Sequence, residues 1–121
     1  LVNIFRKICS MEINAYEESG VKVIELSGRL DAENAEKLRT EFLLFLEKNR
    51  NFVINCSNLE YLDSTGLGAM VFCMKSSNEY GGVLRLANLT PKVQMIFEIT
   101  RAYRVFEIYD SLDAAIAAFS G

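Results

Sequence analysis

From Phe52 onward, short β-type runs alternate with helical stretches until the chain ends, and no other feature of the sequence restricts the fold as strongly. Phe52, Val53 and Ile54 form an unbroken apolar run, the pattern of a strand covered on both faces in a parallel sheet. A helical stretch follows to about Tyr80, with Leu67, Met70, Val71 and Met74 on one face, and Gly81-Gly82 stops it. Val83 to Ala87 reads as a strand. Thr90-Pro91 opens a helix, with Thr as N-cap, Pro at the first helical position, and Val93, Ile96 and Phe97 buried. Val105 to Tyr109 is the last strand, and Ser111 caps a final helix carrying Leu112, Ala115, Ile116 and Phe119 at helical spacing.

Ahead of this series, Met11 to Tyr16 alternates apolar and polar residues, Glu17 to Gly20 supplies a turn, and Val21 to Leu26 resumes with β-branched residues, which predicts a β-hairpin. Ala35, Leu38, Phe42, Phe45 and Leu46 then mark an amphipathic helix over roughly residues 34–48, with Leu44 pointing away from the apolar stripe. The order β-β-α-β-α-β-α-β-α predicts one α/β domain. Its sheet is mixed and mostly parallel, with right-handed crossovers, about four helices and an antiparallel hairpin at its start.

A chain of 121 residues, half of them hydrophobic, is the size of one such domain. The assignment is residues 11–121 for the domain and 1–10 for an N-terminal extension or remnant, because Leu1 is no ordinary initiator and Met11 opens the strand pattern. Ile4, Phe5 and Ile8 have the spacing of one helical turn. The formal charge is −3 and the basic residues are scattered, which argues against nucleic acid as the main partner. Cys9, Cys56 and Cys73 are odd in number and widely spaced, which suits a reducing compartment, and the cytoplasm is the expected location. No apolar run approaches the roughly 18–20 residues that span a bilayer, so no membrane contact is expected.

The chain contains no histidine. That removes Ser-His-Asp and Cys-His catalysis, histidine metal sites and imidazole general bases, and the expectation is a protein that is not an enzyme and holds no metal or cofactor. Ser64 is not a nucleophile elbow, since Leu62 stands where that motif needs glycine, and neither Gly66 nor Gly68 leads into a P-loop lysine. What Asp63-Ser64-Thr65-Gly66-Leu67-Gly68 offers is a hydroxyl where a buried strand gives way to a helix. Two glycines follow it, each costing up to about 1 kcal/mol inside a helix, so something is expected to approach closely. A phosphate on Ser64 would meet the free N–H groups of the helix N-terminus at the carboxyl edge of the sheet. The alternative is that Asp63 or Ser64 serves only as a helix cap.

At this motif the sequence resembles the STAS domain family, and most of all its stand-alone bacterial anti-sigma factor antagonists. Tyr61-Leu62-Asp63-Ser64-Thr65-Gly66-Leu67-Gly68 carries the resemblance. Ile24 to Ala32, with its Gly28-Arg29-Leu30-Asp31-Ala32, and Gly81 to Leu86 support it in the same order and spacing. The resemblance implies a switch. The unphosphorylated antagonist binds an anti-sigma factor that is also a serine kinase, which frees a sigma factor for transcription. Phosphorylation at the position of Ser64 breaks that complex, and a PP2C-type phosphatase restores it. It implies a partner surface of Asp31, Asp63, Ser64, Thr65, Gly66, Leu67 and Gly68, with Thr65 as candidate second acceptor and a monomer or weak dimer as the assembly. Asp31 has an equal claim as cap of the helix that follows. The alternatives are a stressosome, lipid-transport accessory or anion-transporter regulatory domain, or a small nucleotide-binding protein using the Ser64 to Gly68 loop as a phosphate cradle.

Overall fold

The computed structural model describes residues 10–120, and the expected helical turn of Ile4, Phe5 and Ile8 lies outside them. In chain order the elements are β1 (Met11–Glu18), β2 (Val21–Leu30), α1 (Ala35–Phe45), β3 (Phe52–Leu62), α2 (Ser64–Glu79) and β4 (Leu84–Ala87). There follow α3 (Pro91–Thr100), a 3-10 turn (Ala102–Arg104), β5 (Glu107–Tyr109) and α4 (Leu112–Ala117). The α/β order expected from the sequence is the order observed. The hairpin turn is tighter than the Glu17 to Gly20 stretch suggested, because pairing continues to Glu18 opposite Val21. Ser19 and Gly20 alone make the turn, with φ of 55° and 79°, the mirror-type geometry whose twist matches the flanking strands.

The five strands lie in sequential order, with β1 antiparallel to β2 and β2 to β5 parallel. A sheet wound in one direction by right-handed crossovers stacks all its crossover helices on the same face. Accordingly α1, α2 and α3 bury Leu38, Phe42, Met70, Cys73, Val93 and Phe97 against Ile24, Leu26, Phe52, Ile54, Leu84 and Leu86. On the other face α4 sets Ala115 and Ile116 against Val21, Val23, Val53 and Ala87. Val53 and its neighbours are therefore buried from both sides, as the apolar run predicted.

The largest departure from the sequence pattern is the length of β3. It continues eight residues' worth of chain past the apolar run, to Leu62. The last β3–β4 pair is Asn55 with Ala87, so the outer half of β3 has β2 as its only strand partner among the described residues, through register shifts between Glu25 and Ser27 and between Gly28 and Arg29. This overhang carries the start of α2 out beyond the sheet. β5 is shorter than expected, since Ala102–Arg104 turns as a 3-10 segment and leaves Val105 exposed.

Candidate functional site

The site forms where two strands end side by side. Leu30 of β2 pairs with Leu62 of β3, which places the loop into α1 next to the first turn of α2. Asp63 joins them. Its backbone N–H donates to the Leu30 carbonyl at 3.3 Å, its Oδ1 accepts the Gly66 N–H at 2.8 Å, and its Oδ2 accepts the Ala32 N–H at 3.3 Å. Asp63 is thus the N-cap of α2 and a tie between the two loops. Both carboxylate oxygens accept from the chain's own N–H groups, and no hydrogen bond joins Asp63 to the Ser64 hydroxyl among the described residues.

The two glycines of the motif have different reasons to be there. A Cβ on Gly66 would lie 2.1 Å from the Leu30 carbonyl oxygen, so the close approach inferred from the sequence is made by β2 itself. A Cβ on Gly68 would meet nothing nearer than Arg39 Nη2 at 3.9 Å. That is an ordinary van der Waals distance, so packing among the described residues does not require glycine at position 68.

Asp31 shapes the neighbouring loop. Its Oδ1 accepts from the Glu33 N–H at 3.1 Å and Asn34 Nδ2 at 3.3 Å, its carbonyl accepts the Ala35 N–H at 2.9 Å, and its Oδ2 lies 3.4 Å from Arg29 Nε. The cap position of α1 belongs to Asn34, whose side chain donates to the Arg29 carbonyl instead of capping. Asp31 therefore organises the turn ahead of α1 and does not cap the helix directly.

A STAS domain model matches residues 12–115. The chain belongs to the STAS domain family. It is 31% identical to the anti-sigma-B factor antagonist of Bacillus subtilis, over 70% of this chain and 78% of that one. Its fold is similar to that of an anti-sigma factor antagonist from Mycobacterium paratuberculosis, with TM-score 0.82, 23% identity and coverage of 93% and 96% of the two chains. The phosphorylated form of the Bacillus cell fate determinant SpoIIAA is also similar, with TM-score 0.68, 20% identity and coverage of 91% and 99%.

Within this STAS domain the seven motif residues gather at one end of the sheet but are presented differently. Ser64, Thr65 and Gly68 are exposed, Asp31 and Asp63 are half-buried, and Gly66 and Leu67 are buried, shaping the site from beneath. Neither the Ser64 nor the Thr65 hydroxyl has a hydrogen-bond partner among the described residues. Sequence reasoning missed the Arg29 guanidinium, which stacks 3.9 Å over the Tyr61 ring beside Asp31. Only the shifted β2–β3 register sets Arg29 opposite Tyr61, and no local pattern announces it. A cleft of about 720 Å³, lined by Ser27, Gly28, Ser57, Asn58, Thr90 and Lys92 among others, includes none of these seven residues. Burial pushes the Cys56 and Cys73 thiols up to about 12, which makes them poor nucleophiles. Among the described residues no His, Cys, Asp and Glu group could hold a metal ion, and no helix is long and apolar enough to cross a membrane.

Proposed function

We propose that this STAS domain is an anti-sigma factor antagonist, a regulatory binding protein without catalysis of its own, switched by phosphorylation of Ser64 in the cytoplasm. The observation that carries the reading is the contrast within one motif. Asp63 spends every polar atom on holding the site together, whereas Ser64 beside it is exposed with an uncommitted hydroxyl on the first turn of α2. Such a hydroxyl, with no hydrogen bond to Asp63 among the described residues, is suited to receive a group from another protein's active site. The relatives' names agree, since one is an antagonist of an anti-sigma factor and another exists in a phosphorylated form.

Unphosphorylated, the chain binds an anti-sigma factor with serine kinase activity through Ser64, Thr65, Gly68 and the Asp31 and Asp63 loops, and the sigma factor is released. The kinase then phosphorylates Ser64, with Thr65 as second acceptor, and a PP2C-type phosphatase reverses it. Phosphate adds about −1.5 to −2 charge. The first-turn N–H groups of α2 favour an anion by about 0.3–1 kcal/mol, partly offsetting repulsion from Asp63, so the fold survives. An interface burying that unpaired dianion loses several kcal/mol, which is about a hundredfold or more in affinity. The two buried thiols are unpaired, in keeping with a reducing compartment.

The test is a pull-down from lysate of the source organism with wild-type protein and Ser64→Asp side by side, followed by kinase assay of the captured protein and mass-spectrometric mapping of the phosphate. Capture of a serine-kinase anti-sigma factor by wild type, its loss by Ser64→Asp, and phosphate on Ser64 support the switch. Equal capture by both forms overturns it.

A further inference from the structure

We propose that the groove between α1 and α2 is the second half of the partner interface, with Arg39 receiving a carboxylate of the anti-sigma factor over Gly68; this rests on the reading above. Arg39 and Leu43 lie one turn apart on α1, Gly68 and Phe72 lie one turn apart on α2, and Arg39 is near both of the latter. The Arg39 guanidinium reaches across. It lies 5.8 Å from the centroid of the Phe72 ring, and its Nη2 stands beside the notch that Gly68 leaves open. Phe72 is half-buried, and Leu43, one turn beyond Arg39 on α1, is 48% exposed.

The guanidinium is underused. Among the described residues its one ion pair is with Glu36 at 3.5 Å, and the Glu36 side chain is 80% exposed, a pairing that solvent nearly cancels. Arg39 itself is only 30% exposed, so it is held in place by its surroundings with most of its five donors unspent. A planar, half-buried fork of donors beside a gap without a Cβ fits a planar acceptor with two oxygens, and a carboxylate is that group on a protein. The groove continues directly from Ser64 and Thr65 along α2, so a partner seated on the exposed hydroxyls covers it without reorientation. A phosphate on Ser64 is the other candidate acceptor. Helical side chains lean toward the N-terminus, however, which directs a group on Ser64 away from Gly68. Glu36 is the acidic group paired with Arg39 among the described residues, and its exposed side chain is free to swing into solvent.

The experiment measures affinity for the purified anti-sigma factor captured by the wild-type chain, using Arg39→Gln, Arg39→Lys, Glu36→Gln and Ser64→Asp, at two salt concentrations. Arg39→Gln is expected to weaken binding at least about tenfold and flatten its salt dependence. Arg39→Lys should fall between it and wild type, since the charge stays and the fork is lost. Glu36→Gln should bind as well as wild type or better. A double-mutant cycle then locates the partner carboxylate whose removal no longer matters once Arg39 is Gln. Wild-type affinity in Arg39→Gln, alongside loss in Ser64→Asp, overturns the groove and leaves the switch intact. Retained binding in Ser64→Asp with loss in Arg39→Gln overturns the switch and keeps the groove. If no partner carboxylate couples to Arg39, or if Arg39→Gln shifts the phosphorus-31 titration of the isolated phosphoprotein, the carboxylate assignment is overturned.

Discussion

Changing Gly66 or Gly68 to alanine makes the same chemical alteration two residues apart in one helix, and the structure predicts opposite outcomes. In an ordinary helix interior either change gains up to about 1 kcal/mol, because alanine loses less backbone freedom than glycine. At Gly68 the new methyl has only Arg39 Nη2 near it among the described residues, at 3.9 Å, so most of that gain is kept. At Gly66 the methyl would lie 2.1 Å from the Leu30 oxygen and 2.9 Å from Leu30 Cγ, where ordinary contact begins at 3.4 Å. Backbone on both sides must move, and the Gly66 N–H that Asp63 accepts moves with it. Overpacking costs about 1–3 kcal/mol and a weakened cap about 1 kcal/mol, which leaves a net loss of about 1–3 kcal/mol after the alanine gain. For a domain of this size 1 kcal/mol is about 4 °C in melting temperature. Gly66→Ala should therefore melt about 4–12 °C below wild type and Gly68→Ala about 2–4 °C above it, by calorimetry or urea titration. Gly68→Ala should nevertheless bind the anti-sigma factor more weakly, since it fills the notch under Arg39. A Gly66→Ala protein at least as stable as wild type would refute the close approach of α2 to β2.

Asp63→Ala removes the cap of α2 and the link to Ala32 together, and urea unfolding should show a loss of about 1–2 kcal/mol. Asp63→Asn keeps one acceptor oxygen and should lose less. Phosphorylation of Ser64 should shift the melting temperature by no more than about 3 °C while reducing partner affinity about a hundredfold; a phosphoprotein that melts far lower would show that the modified site is part of the fold. The buried Cys56 and Cys73 thiols should resist alkylation in the folded protein at pH 8 and react only on unfolding. Their folded values of about 12 stand above the ordinary 9.0, so the unfolded chain releases those protons first as pH rises. Stability is unaffected by them below pH 9 and falls above it by about 1 kcal/mol per thiol per pH unit, which urea titrations at pH 8 and 10 would reveal. Equal stability at both values would mean that the thiols titrate in the folded state.

The sequence by itself determined the order of elements, because the hairpin alternates every two residues, the helices repeat every 3.6, and the short apolar runs between helices are bounded by turn and cap residues. It determined the start of α3 as well, since Thr90 and Pro91 act through their own backbone neighbours, and Thr90 accepts the Val93 N–H as expected. Asp63 and Ser64 were legible as a junction for the same local reason. Tertiary structure decided the rest. The outer half of β3 is broken by polar Ser57, Asn58 and Glu60, and only the hydrogen bonds supplied by β2 make it a strand. Asp31 has the residue type of a cap, yet its role depends on where Arg29 and Asn34 stand around it. Gly66 and Gly68 are indistinguishable in the sequence. What separates them is a carbonyl thirty-odd residues upstream, brought against one and not the other when β2 and β3 end together, and the placing of Arg39 across the groove depends in the same way on two helices meeting. Contacts between residues distant in the chain arise from packing, and no local preference encodes them.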